Sequence, residues 1–167
     1  LMNTRPWGFL KAHGTAVGMP SDGDMGNSEV GHNAMGAGRV FAQGAKLVQD
    51  AIKNHSIWNS AAWQQAVQGR CLHLLGLLSD GNVHSHIDHL LAMISRAHED
   101  NVATLRVHIL TDGRDVSPRS ALQYIATLED RLAAFDRDYQ IASGGGRMYI
   151  TMDRYGADWD MVKRGWD

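Results

Sequence analysis

Apolar residues along the chain follow two regimes. Roughly the first 45 residues are rich in glycine and methionine, poor in lysine, and without clear periodicity. From about Phe41 a helical spacing begins, and Ala51, Ile52, Trp58, Ala62, Trp63 and Val67 predict two short helices before Gly69. An alternation then sets in. Leu72–Leu78 is a short apolar run bounded by Gly69 and by Asp80-Gly81, which reads as a buried strand, and Ile87, Leu90, Leu91, Ile94 and Ala97 follow at helical spacing. Leu105–Leu110 reads as a second strand. Ala121, Ile125, Leu128 and Leu132 predict a second amphipathic helix, with Ser117-Pro118 as its N-cap and first position. Tyr139–Ala142 is a weak third strand, and the tail from Trp159 to Trp166 a third helix. Alternation of this kind predicts an α/β fold with a parallel sheet and crossover helices.

Composition narrows the function classes. Hydrophobic residues make up 44% of the 167 and charged residues 20%, as in ordinary globular proteins. No apolar run is long enough for a membrane span, and no signal-peptide pattern stands at the start. A formal net charge of -2 argues against nucleic-acid binding, which needs a basic surplus. The single cysteine, Cys71, sits in an apolar stretch and reads as a buried thiol in a reducing compartment. The chain starts at Leu1 and stops inside a helical run, so a fragment of a longer protein is expected.

Candidate chemistry lies where the strands end. After the first comes Ser79-Asp80-Gly81-Asn82-Val83-His84-Ser85-His86, after the second Asp112-Gly113-Arg114-Asp115, after the third Ser143-Gly144-Gly145-Gly146-Arg147. In an open parallel sheet, ligands bind beyond the carboxyl ends of the strands. Arginine offers a planar fork for phosphate or carboxylate, and glycines let backbone approach an anion, so the three segments together point to a small anionic substrate. Taken singly, Asp-Gly is more often a turn, and a lone His84, His86, Arg147 or Arg154 more often a helix-start or surface residue. The other dense segment is Met25-Gly26-Asn27-Ser28-Glu29-Val30-Gly31-His32. It is neither a Walker A loop nor a hydrolase elbow. A serine there either caps a helix or presents its hydroxyl at a helix N-terminus, where the dipole and free N–H groups favour phosphate.

The run Gly14-Thr15-Ala16-Val17-Gly18-Met19-Pro20, continuing through Asp24-Met25-Gly26-Asn27-Ser28-Glu29-Val30-Gly31-His32 to Gly36-Ala37-Gly38-Arg39, closely resembles the nucleophile segment of 2,3-bisphosphoglycerate-independent phosphoglycerate mutases. Gly76-Leu77-Leu78-Ser79-Asp80-Gly81 with Val83-His84-Ser85, Asp112-Gly113-Arg114-Asp115-Val116, and Gly146-Arg147 with Met152-Asp153-Arg154 match the same family in order. Ala-Ser-Gly-Gly-Gly-Arg and Gly-His-Asn-Ala look more like its plant and trypanosomatid branch.

The resemblance implies an alkaline-phosphatase-like (metal and nucleophile) domain piece over 1–44. It implies a partial inserted α/β transferase domain, binding substrate, over 45–167. It implies Ser28 as the nucleophile that becomes phosphoserine and as a ligand of one of two divalent ions, usually manganese, with no 2,3-bisphosphoglycerate required. His84, Arg114, Asp115, Arg147 and Arg154 match substrate-binding positions. The arginines would hold carboxylate and phosphate, and Asp115 a glycerate hydroxyl. The substrate would be 3-phosphoglycerate or 2-phosphoglycerate, and the full-length enzyme a cytoplasmic, glycolytic monomer. The insertion between Arg147 and Arg154 is one residue longer than in the bacterial branch. Two other readings stay open: a metal-dependent phosphohydrolase of the same superfamily, and a non-catalytic anion-binding α/β module.

Overall fold

The computed structural model describes residues 4–152 and 156–167. Its elements are α1 (Ser28–Ala37), α2 (Gly44–Lys53), α3 (Ala61–Ala66), β1 (Leu72–Leu78), α4 (Ile87–Glu99), β2 (Thr104–Thr111), α5 (Ala121–Ala133), β3 (Asp138–Gly146) and α6 (Trp159–Trp166), with short 3-10 turns at Gly14–Val17 and Ser56–Asn59. The three strands form a parallel sheet in the order β1-β2-β3, joined by α4 and α5. The predicted α/β alternation is therefore the observed one.

Parallel neighbours need long crossovers, and the helices that supply them bury one sheet face. Leu105, Val107 and Ile109 of β2 lie in one cluster with Ile94 and Ala97 of α4 and Leu128 and Leu132 of α5. Leu105, Ile94, Ala97 and Leu128 have no exposed surface at all. Trp58 and Trp63 extend this core, and Trp63 Nε1 donates to Asp100 Oδ2 (2.7 Å) at the end of α4.

The opposite face is open among the described residues. Leu75 of β1 is 77% exposed, and His73 meets His108 of β2 there, Nδ1 to Nε2 at 2.9 Å. Both crossover helices pack on the side that carries Leu72 and Leu78, so the run is covered there; on the open side Leu77 is buried at the strand end but Leu75 is not. Cys71, just before β1, is half-buried instead of buried.

Two boundaries differ from expectation. The second long helix starts at Ala121, because Ser117–Ser120 closes a turn in which Ser120 N and Oγ both donate to the Ser117 carbonyl (3.1 and 2.7 Å). Strand β3 runs to Gly146, through the glycines read as a loop. Pairing with β2 carries it on: His108 faces Ser143 and Thr111 faces Gly146. A register shift precedes this, since Val107 pairs with Ile141 and His108 with Ser143, which leaves Ala142 as an extra, bulged residue. Glycine is needed here, since a Cβ on Gly145 would lie 2.1 Å from Ile150 Cδ1.

Ahead of α2, Val17, Met19 and Val30 pack a separate small cluster. Gln43 closes this segment on itself, its N donating to the Gly18 carbonyl (2.9 Å) and its Nε2 to the Val17 carbonyl (3.1 Å). Within it lies α1, a helix that hydrophobic spacing did not predict; Asn27 caps it, accepting from Val30 N at 2.9 Å.

Truncating Leu105 to Ala should destabilise the protein by roughly 2–5 kcal/mol, since it opens a cavity under both crossover helices. Leu75→Thr on the open face should stay within about 0.5 kcal/mol. Urea unfolding of the two variants beside the parent chain checks this; similar losses would mean the core is not where β2 meets the helices.

Candidate active site

A cleft of about 410 Å³ opens where the strands end, and Ser28, His84, Arg114, Asp115 and Arg147 all line it. They arrive from four parts of the fold. Ser28 is the first residue of α1, His84 lies between β1 and α4, Arg114 and Asp115 follow β2, and Arg147 follows β3. Arg154 lies outside the described residues. Of the two histidines after β1, His84 faces the cleft, whereas His86 caps α4, its Nδ1 accepting from Asp88 N at 3.1 Å.

The turn after β2 is built by a carboxylate. Asp112 Oδ1 accepts from the backbone N–H of Arg114 (3.1 Å) and Asp115 (3.0 Å), and Gly113 takes a φ of 69° that a side chain would resist. The same oxygen accepts from Arg147 Nη1 at 3.0 Å. That nitrogen also donates to Asp115 Oδ2 at 2.6 Å, while Nη2 contacts His84 Nε2 at 3.2 Å. A guanidinium has only donors, so in this contact His84 Nε2 is placed to accept, with Asp115 Oδ2 3.8 Å from the same nitrogen. Arg147 is 7% exposed and the Asp112 side chain 1%. Ladder geometry continues past β3 to hold Arg147, its N donating to the Thr111 carbonyl at 3.0 Å.

Arg114 is the contrasting case. It is exposed, and no side-chain partner engages it among the described residues. The cleft therefore holds one guanidinium tied into a buried carboxylate cluster and one free to meet an anion. Across from them, Ser28 sits where the α1 dipole is positive and unpaired first-turn N–H groups gather.

Burial by itself disfavours the charged form of Asp112. The N–H of Asp115, the Ser79 hydroxyl, the N–H of Arg114 and Arg147 outweigh it and hold the carboxyl below the usual aspartate range. Asp112 stood in the Asp-Gly-Arg-Asp motif, but an Asp-Gly pair reads as a turn, and nothing in sequence marks its carboxylate as the bridge to Arg147. A second link is equally invisible in sequence: Asn82 Nδ2 donates to Asp24 Oδ1 at 2.6 Å across 58 positions. Among the described residues no group of three or more His, Cys, Asp or Glu is placed to hold a metal ion, so these side chains alone do not fit a complete metal centre. No described helix is long and apolar enough to cross a membrane.

At its strand ends the parallel α/β layer thus gathers a helix-terminal serine, an arginine with no side-chain partner among the described residues, and a buried carboxylate–guanidinium cluster. The particular family follows from comparison. The model described as "BPG-independent PGAM N-terminus" matches residues 46–167, and the chain belongs to that family. A probable 2,3-bisphosphoglycerate-independent phosphoglycerate mutase of Leptospira interrogans serovar Lai is 57% identical over 98% of this chain and 31% of its own length. The 2,3-bisphosphoglycerate-independent phosphoglycerate mutase of Zea mays is 56% identical over 96% of the chain and 30% of its own. The crystal structure of Leishmania mexicana phosphoglycerate mutase at low cobalt concentration superimposes with a TM-score of 0.89 at 52% identity, covering 94% of this chain and 30% of that one. The chain thus spans about 30% of the length of the curated relatives it matches.

Asp112→Asn should cost on the order of 3 kcal/mol at pH 7, because it leaves the buried Arg147 with half its counter-charge. The sign with pH follows from the lowered carboxyl. Its contribution is present above the unfolded value near 3.8 and is lost as pH falls through the lower folded value. The gap between parent and variant should therefore narrow below about pH 4. Urea midpoints at pH 7 and at pH 3 measure it, and a gap independent of pH would remove Asp112 as the charged partner.

Proposed function

We propose that this chain carries the phosphoryl-accepting serine and part of the substrate clamp of an enzyme that interconverts 3-phosphoglycerate and 2-phosphoglycerate without 2,3-bisphosphoglycerate. The observation that carries the reading is the shared cleft: Ser28 lines the same space as His84, Arg114, Asp115 and Arg147. Family membership supports it, and every relative named above is a phosphoglycerate mutase.

The chemistry is a balanced exchange. Ser28 Oγ attacks phosphorus, the bond from phosphorus to the glycerate oxygen breaks, and the serine proton ends on that departing oxygen. Glycerate turns in the cleft, its other hydroxyl oxygen attacks phosphorus, the bond from phosphorus to Ser28 Oγ breaks, and that hydroxyl's proton returns to Oγ. Arg114, whose side chain has no partner among the described residues, grips the carboxylate or phosphate through its fork. Asp115 Oδ2, oriented by Arg147 Nη1, accepts from a glycerate hydroxyl and steadies it between the two transfers. His84 has its Nε2 engaged by Arg147. The α1 N-terminus stabilises charge on the phosphoryl oxygens.

The resemblance adds two divalent ions, usually manganese, with Ser28 Oγ a ligand of one. The described residues do not by themselves assemble such a centre, and the steps above run through none. The substrate-binding role of Arg154, the division near residue 44, the glycolytic and cytoplasmic setting and the monomeric state belong to the same proposal.

In a full-length protein carrying this segment, Ser28→Ala should abolish both mutase turnover and acid-stable phosphoprotein, since the attacking oxygen is gone. Arg114→Lys should lower kcat/KM by about tenfold to a thousandfold, roughly 1.4–4 kcal/mol, because a point charge cannot replace a fork. A lysine variant that matches the parent would make Arg114 a bystander, and net phosphate release in place of isomerisation would favour the phosphohydrolase reading.

The 167-residue chain alone should show no conversion of 3-phosphoglycerate with any divalent metal, given the metal-ligand sets that phosphoryl transfer requires. A coupled assay with manganese, cobalt or magnesium tests this; measurable turnover would mean that its own side chains do complete a metal site.

A further inference from the structure

Ser28 and the carboxylate–guanidinium cluster come from two parts of the chain that do not share a core: Val30 of α1 packs with Val17 and Met19, while β1–β3 belong to the larger cluster. Something must fix the gap between them, because phosphoryl transfer tolerates little misplacement. The hydrogen bond from Asn82 Nδ2 to Asp24 Oδ1, at 2.6 Å, crosses that gap. Asp24 lies four residues before Ser28, and Asn82 two residues before His84.

Both ends of this bond are held in place. The other oxygen of Asp24, Oδ2, accepts from Ser21 N (2.7 Å) and Ser21 Oγ (2.8 Å), and the Asp24 carbonyl accepts from Gly14 N (3.1 Å). Burial works against the Asp24 charge, but the bonds from Asn82 and Ser21 outweigh it and keep the carboxyl below its ordinary range. Asn82 is 5% exposed and adopts a φ of 54°, a left-handed conformation that Asn tolerates better than most residues. Its remaining amide atom, Oδ1, is buried without a hydrogen-bond partner. Leaving such an acceptor unsatisfied forfeits its hydration without return, so this amide is a poor choice for folding alone. Its benefit is the reach of Nδ2 to Asp24.

We propose that the Asp24–Asn82 hydrogen bond is a latch that sets the width of the cleft between Ser28 and the His84–Asp115–Arg147 cluster. Asp24 and Asn82 are positioning residues, touching neither substrate nor the reacting atoms. The functional meaning of the latch rests on the reading of Ser28 as phosphoryl acceptor; its geometry does not.

Exchanging the partners tests the latch. Asn82→Asp sets two carboxylates against each other while keeping a side chain that accepts the left-handed backbone. Asn82→Gly suits the same φ and deletes the amide. The double variant Asp24→Asn/Asn82→Asp restores one donor and one acceptor in reversed order, with the oxygen of the new amide still free to accept from Ser21. Spin labels at Asn33→Cys on α1 and Arg119→Cys beyond β2, in a Cys71→Ser background, report the separation of the two parts by pulsed electron resonance. Far-UV circular dichroism checks the fold of each variant. The parent should give one narrow distance distribution. Asn82→Asp and Asn82→Gly should broaden it toward longer distances, and the double variant should return it to the parent's. An unchanged distribution in Asn82→Gly, or a double variant as broad as Asn82→Asp, overturns the latch; should Asn82→Asp not fold, the glycine variant and the double variant still decide. No ligand enters this measurement, so its outcome is separate from that of the phosphoglycerate assays.

Discussion

A guanidinium removed from water needs partners for its charge and its donors, and the strand ends of this protein are arranged around that need. Arg147 is almost fully buried and meets Asp112, Asp115 and His84 at once. Isolated burial of such a charge would cost far more than one favourable contact could return, so the three partners must all be present together. Asp112 is the pivot. Its one oxygen shapes the turn after β2 and receives Arg147 from beyond β3, so two strand ends already paired through backbone also lock through this ion pair.

This arrangement divides labour between two arginines that look alike in sequence. Arg147 with two carboxylates is already neutralised and more, and acts as a rigid bracket for Asp115 and His84. Arg114, held among the described residues only through its backbone, keeps its fork open. Preorganisation of this kind lowers the cost of ordering a site when the ligand arrives, because the bracket is ordered beforehand. Opposite, Ser28 is held by a helix whose N-cap is satisfied by Asn27, which leaves the serine hydroxyl free of capping duty.

Much of this was legible in the residues. The apolar runs at Leu72 and Leu105 and the helical spacing from Ile87 and Ala121 led directly to the parallel sheet, since each pattern is a strong local signal repeated in order. The strand-end motifs placed His84, Arg114, Asp115 and Arg147 near one another for the same topological reason. Other features were not readable. Glycines at 144–146 carry no strand propensity, and only pairing with β2 makes them a strand. Leu75 reads as core although no described element covers it, because periodicity reports what a side chain prefers and not what packs over it. The partners of Asp112 and Asn82 lie 35 and 58 positions away, beyond the reach of any local pattern.

The bulge at Ala142 has a bearing on the site as a matter of parity. Successive residues of a strand point to opposite faces, so one extra residue inverts every side chain that follows it. Upstream of the bulge Val107 faces Ile141, and downstream Thr111 faces Gly146, which sets Arg147 level with Asp112. Were Ala142 paired in the ladder like its neighbours, the register would slip by one: Gly146 would come level with the aspartate, and the arginine would fall one step later on the opposite face. The charge cluster at the end of the sheet is thus set by whether a residue count is odd or even, several positions before the arginine it places.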